Sequence, residues 1–460
     1  MSPRKLVVLS LVVVGLFAFI LLVERRMPST AERQQAGEKH WDLPEDRVSS
    51  VRIDRGNEVV QLVKDGTGWR MALPDAWPAD TPAADDLARI LADLPRAGGE
   101  PQVGRTEEYG LKPPAAMATF VWTDKDGGET RTRVVELGTD IPGTDLSAAH
   151  VAGEERILFV PRSVATALRR PADEFKSREV FGVSPADVVG LSVERGRGRL
   201  DLERRGGAWW LVQPLVDLAD RDAASGLVSD VAGLRIAEFV PAAQRGDLST
   251  LGLSPPVYVV TLADGKGRKT LEIGATRSDG TTVYARRTGQ VFTLDSDVVE
   301  DVSREAEAYR SLRLLSFDRT EPTGISADFG EGRRYDFVKK DAGWSSAGRP
   351  LLASSVDDLE TAILDLRGQA FLDAAEAQRL GEGVPSASML VTIPQREPWV
   401  VRFFAHRGAG RATVRGRPGA FRVADDVITR LEEAFHKAAA SPTPAPVTTP
   451  APAAKTPAPR

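Results

Sequence analysis

The feature that most restricts the fold of this 460-residue chain is one order of landmarks that passes along it three times. Each pass begins with a hairpin ending in tryptophan: EVVQLVKDGTGWRM around Trp69, LDLERRGGAWWLVQ around Trp209 and YDFVKKDAGWSS around Trp344. Apolar and polar residues alternate in each, and a glycine-containing corner divides it, as a half-buried β-hairpin requires. A proline follows each tryptophan by five or six residues (Pro74, Pro214, Pro350) and ends the strand, having no N–H to give to a ladder.

A helix comes next in every copy. Its apolar positions are Leu87, Leu91 and Leu94, then Leu227, Val231 and Leu234, then Leu359, Ile363 and Leu366. This i, i+4, i+7 spacing is one helical face packed on a sheet. Acidic residues near each start (Asp85 and Asp86, Asp222, Asp357 and Asp358) suit the positive end of the helix dipole. Thr81-Pro82 reads as an N-cap followed by proline at the first helical position. A turn follows the helix, centred on Gly110, Gly252 and Gly381 in Tyr-Gly-Leu, Leu-Gly-Leu and Leu-Gly-Glu. Two strands then turn at Asp126-Gly127 and Asp264-Gly265, strong hairpin corners. A further strand pair and a short helix close the unit.

The expected fold class is therefore α+β, with three tandem repeats of an antiparallel sheet and about two helices. The repeats are placed at residues 48–183, 184–318 and 319–440. Trp69, Trp209, Trp344, Gly110, Gly252 and Gly381 are their structural anchors, the tryptophans packing beneath each sheet.

The flanks differ in composition. Residues 6–23 (LVVLSLVVVGLFAFILLV) carry no charge, and at helical rise 18 residues reach about 27 Å, enough for a hydrocarbon core. The run is longer than a signal peptide's apolar region and lacks small residues for cleavage, which favours an uncleaved transmembrane helix. Arg4 and Lys5 put the stub 1–5 in the cytoplasm and the bulk of the chain outside it, in the periplasm of an inner-membrane protein. Residues 24–47 read as a polar stalk and residues 441–460 as an extended Pro/Ala/Thr-rich tail.

Chemistry is constrained mostly by exclusion. Without cysteine there is no disulfide, thiolate nucleophile or Cys-ligated metal. A net charge of −5 argues against nucleic acid as a partner. His40, His150, His406 and His436 have no metal-site spacing. The glycine-rich stretches at 196–200, 265–268 and 408–411 fall at hairpin corners, without the strand-to-helix context of a phosphate loop. The carboxylate pairs Asp85/Asp86, Glu154/Glu155, Asp357/Asp358, Asp425/Asp426 and Glu432/Glu433 read as helix-start and solubility features. No catalytic, cofactor-binding or metal residue is expected. The basic run with Arg407, Arg411, Arg415, Arg417 and Arg422 is either a solvated strand face or a stripe that meets acidic glycan or lipid headgroups. Trp210, beside Trp209, points to the opposite face, while Trp41 and Trp77 lie in loop-like contexts suited to a membrane surface or a sugar.

With these features in place, the chain resembles the bacterial domain-of-unknown-function family 4340 over roughly residues 45–435. The motifs that carry the likeness are the anchor, the tryptophan hairpins (DGTGWRM, GGAWWLV, DAGWSS), the following proline, the Ala/Asp-rich helix and the Gly-Leu turn. The third copy departs from them at Leu380-Gly381-Glu382 and lacks Pro-Pro. The resemblance implies a companion of ABC-type export systems of the gliding-motility kind and supplies no catalytic residues. The expectation is a non-enzymatic accessory subunit contacting an ABC permease or another envelope protein. The alternative is an envelope scaffold that binds cell-wall glycan.

Overall fold

Alternating burial marks the strands of the first sheet. In β1 (Val48–Asp54) the residues Val48, Val51 and Ile53 are buried. It pairs on one side with β2 (Val59–Asp65), followed by β3 (Gly68–Leu73) and β4 (Trp77–Pro78). On the other side lie β6 (Ala116–Thr123), β7 (Thr130–Asp140), β8 (Leu146–Val151) and β9 (Arg156–Pro161), with β5 (Gln102–Val103) at the far edge. The resulting order is β4-β3-β2-β1-β6-β7-β8-β9-β5, and every neighbouring pair is antiparallel. Two more nine-stranded sheets repeat it, one running from Val188–Arg195 to Gln290–Asp295 and one from Gly324–Asp328 to Phe421–Val423. In all three sheets both outermost strands are only two residues long.

These are the features of a computed structural model that describes residues 39–440 except for 42, 44, 98–101, 124–127, 341–342 and 407–408. The apolar run 6–23, most of the stalk, the Asp126-Gly127 corner, Arg407 and the tail 441–460 lie outside the described residues. Among the described residues no helix is long and apolar enough to cross a membrane.

Helices cover each sheet. The helix Thr81–Asp93 buries Leu87 and Leu91 completely, with Leu94 at its C-cap. They meet Ile53, Leu62, Phe120 and, from the helix Arg162–Arg169, Val164 and Leu168. Each such side chain contributes about 1.5–3 kcal/mol on leaving water, so one sheet with two helices holds a core of its own. The helix starts one residue earlier than Thr81-Pro82 suggests. Asp80 is the cap and accepts from the Ala83 amide at 3.0 Å, and Asp220 does the same for Ala223 in the second copy.

The α+β class with three antiparallel sheets is present, with seven α-helices among the described residues. The third copy holds three of them, and its extra helix, Ala374–Gly381, stands where a Leu-Gly-Glu turn is expected. Strand register explains the difference. Ala116 pairs with Leu137, Tyr258 with Ile273 and Ala387 with Phe403, so Gly138, Gly274 and Phe404 occupy one position in the three sheets. In the first two copies the turn passes directly over that glycine. A Cβ on Gly138 would meet the Tyr109 carbonyl oxygen at 2.1 Å, and one on Gly274 the Leu251 oxygen at 2.2 Å. Gly110 and Gly252 both take φ +65° to make the crossing. Phe404 leaves no room for it, and the chain forms instead a helix capped by Asp373.

The chain divides into two compact units, Met1–Arg178 and Glu179–Arg460. The first unit holds one sheet. The second holds two, joined through the segment between them, since Leu314 and Leu315 belong to the third core.

Candidate binding cleft between the second and third sheets

Within the second unit, one strand divides its two tryptophans between opposite faces. In Ala208–Gln213 Trp209 is buried at 7 % exposure beneath the sheet, so strand alternation turns Trp210 outward. There it stacks on Trp399, the first residue of a strand of the third sheet, with ring centroids 5.9 Å apart and planes inclined by 19°. Such an offset arrangement is the favoured one for large aromatic rings. The pair forms part of the wall of a cleft of about 300 Å³, lined also by Arg205, Arg396, Glu397 and Arg415.

Two of the three arginines are held by carboxylates. Arg205 pairs with Glu203 at 2.6 Å and Arg396 with Glu321 at 3.0 Å. Arg396 also lies flat against Gly206, where a Cβ would stand 2.6 Å from its Nη2. Arg415 and Glu397 are exposed, and among the described residues neither has an ion-pair partner.

A buried ionic lock sits at the same junction. Asp217 follows the Trp210 strand and pairs beside it, Leu218 opposite Trp210. Its carboxylate accepts from Arg310 Nε at 2.7 Å and Arg417 Nε at 2.6 Å. The side chains of Asp217 and Arg417 are both fully inaccessible to water. Arg417 also donates to the Ser311 carbonyl at 2.6 Å, the Leu314 carbonyl at 3.2 Å and the Arg313 carbonyl, while Arg310 reaches the Pro418 carbonyl at 2.9 Å. The two guanidiniums lie over Phe371 and Phe421. Burial pushes the Arg417 guanidinium below its ordinary value, and the hydrogen bond it donates to Asp217 opposes that shift. Removing such ions from water costs several kcal/mol each, which only a fully bonded geometry offsets. Since Arg417 is two residues from Arg415, the lock fixes both walls of the cleft.

The residues singled out in the sequence are spread over the three sheets. Trp69, Trp209 and Trp344 are buried one per sheet, and the Trp69 indole donates to Asp85 at 2.6 Å, so Asp85 serves the tryptophan. Gly110 and Gly252 make the turns described above. Gly381 ends a helix in open space and is not their counterpart. Trp77 is no surface residue: it is 1 % exposed and donates to the Ser177 carbonyl at 2.9 Å. Trp41 packs on the first core and donates to the Leu91 carbonyl at 2.8 Å.

The arginine stripe does not form either. Arg411 pairs with Glu376 and Arg417 enters the lock, Arg422 is exposed on the strand beside Arg411, and Arg415 faces the cleft. Two histidines far apart in sequence do converge. His40 lies 3.0 Å from the Glu154 carboxylate, and His150 reaches the Glu154 carbonyl at 2.7 Å and Glu136 at 2.8 Å. Among the described residues no group of three or more acidic or histidine side chains could hold a metal ion. Asp217, Arg310, Arg396 and Trp399 carry no local signal, because their partners lie far away along the chain. The outward placement of Trp210 was the one available clue.

One solved structure, a DNA polymerase sliding clamp from Pseudomonas aeruginosa crystallised with a ligand, covers 85 % of this chain and 95 % of its own at 8 % identity. Its TM-score of 0.13 carries no argument about fold or function. No curated protein matches the chain. A family model described as "Domain of unknown function (DUF4340)" matches twice, at residues 69–256 and 209–382. The two matches begin at Trp69 and Trp209, the same position in successive copies, and together span more than half of the sequence. With its repeated sheets and its paired tryptophan landmarks, the chain belongs to this DUF4340 family.

Proposed function

We propose that the protein is a non-enzymatic, membrane-anchored extracytoplasmic subunit of an ABC-type transport complex, whose sheets offer contact surface to a partner. The observation that carries the reading is how the second unit uses its most strongly interacting polar groups. Asp217, Arg310 and Arg417 are bonded to one another and to backbone carbonyls, joining two sheets into a single body. A subunit that must hold a partner at a fixed geometry needs such a junction. The uncharged run 6–23 supports anchoring, with the folded part on the periplasmic face of the inner membrane.

The test is purification of the full-length protein from its native membrane in mild detergent, with co-purifying proteins identified by mass spectrometry. A permease of the ABC class in stoichiometric amount supports the proposal. Recovery of the protein alone, or with wall fragments only, overturns it in favour of an envelope scaffold that contacts glycan.

A further inference from the structure

We infer that the cleft walled by the stacked Trp210–Trp399 pair is a binding site for an acidic saccharide, a sugar ring that carries a carboxylate. The inference goes beyond the transport reading and does not depend on it, because a transporter subunit and a wall-bound scaffold could both use such a site. Three features of the cleft point to this chemistry together. The stacked pair of half-buried indoles leaves apolar surface in the cleft wall, which the C–H face of a pyranose covers well. Arg415 is a planar donor with no ion pair among the described residues, the kind of group that grips a carboxylate through two parallel bonds. Glu397, likewise without an ion pair, is an acceptor for ring hydroxyls.

The mixture of charges narrows the class. Arg205 and Arg396 are already bonded to Glu203 and Glu321, so they shape the wall more than they add net charge. One available cation beside one available carboxylate fits a ligand with a single negative charge and several hydroxyls. A polyphosphate would face Glu397 with repulsion, and a neutral sugar would leave Arg415 unused. The volume of about 300 Å³ lies at the small end of ligand sites and suits one or two sugar rings. The ionic lock beneath holds both walls in place before the ligand arrives, which lowers the ordering cost of binding.

The experiment is calorimetric titration of the full-length protein in mild detergent with methyl galactopyranosiduronate, one ring with one carboxylate, and with its methyl ester, the same ring without charge. Binding of the acid, weakened about tenfold or more for the ester, is expected, since a charge-assisted bond contributes about 1.5–3 kcal/mol. Arg415→Ala, an exposed substitution that should leave the urea midpoint unchanged, is expected to produce a loss of the same size. Trp399→Phe, which keeps an aromatic ring against the third core, is expected to weaken both ligands alike. The inference is overturned by absence of binding, by equal affinity for acid and ester, or by indifference to Arg415→Ala. Tighter binding of a hexaglutamate peptide or of pyrophosphate than of the sugar acid would overturn it as well.

Discussion

Asp217 is a buried carboxylate shared by two arginines. It compensates two guanidiniums at a place without water, and its loss would leave Arg417 charged, buried and held only by carbonyls. Asp217→Ala is expected to lower stability by about 3–5 kcal/mol in urea unfolding followed by circular dichroism. Replacing Asp217, Arg310 and Arg417 together by leucine and two methionines should recover most of that loss, because the cost lies in the unpaired ions. Glu360 is a second buried charge, on the core face of the helix Ala353–Leu364. Burial raises its carboxyl above the usual range, helped by Asp357 and opposed by Lys339 and Arg319. A raised native value means that the folded state binds the proton more readily than the unfolded chain. Its contribution is therefore present below the ordinary glutamate range and is lost as the pH climbs through the native value. Glu360→Gln should raise the urea midpoint at pH 7, by an amount that fades as the pH falls towards about 4. None of this was legible in the sequence. Arg417 reads as one of several strand arginines, and its partner lies 200 residues away.

At the scale of elements, far more could be read. Tryptophan spacing, the i, i+4, i+7 helix faces and the following strands give the α+β class and the repeat, since each rests on a local period. The third copy misled because Leu-Gly-Glu imitates a motif whose cause lies on another strand. The decisive residue is the one after Leu137, Ile273 or Phe403, and it becomes visible only through register. This difference predicts opposite outcomes for similar substitutions. Gly274→Ala would force a Cβ into the Leu251 carbonyl and should cost about 3 kcal/mol. Gly381→Ala, at a helix end with open space around it, should be neutral or stabilise by about 0.5–1 kcal/mol. Parallel urea titrations of the two variants would check both, and a large loss for Gly381→Ala would contradict the reassignment of that turn.

For the whole molecule, repetition in sequence and independence in folding are different properties. Three sheets occupy two compact units, and the third sheet draws on residues before it. Leu314 and Leu315 fill its core, and Ser311, Arg313 and Leu314 supply the carbonyls that Arg417 needs. A fragment 179–440 is therefore expected to unfold in one cooperative transition, whereas 319–440 should lack a stable fold by circular dichroism and thermal melting. A cooperative, native-like melt for the shorter fragment would show that the junction is dispensable. The candidate cleft belongs to this scale too, since its walls come from two copies and neither holds the site alone.

Each sheet ends, on both sides, in a strand of two residues. Three copies of one strand order on a single chain are tethered at millimolar effective concentration, where like strands have every opportunity to exchange or zip edge to edge. Borders this short offer too few free backbone groups to template a neighbour. The outermost strands of all three sheets therefore give an incoming strand few backbone groups to pair with, which discourages like copies on one chain from zipping together at their borders.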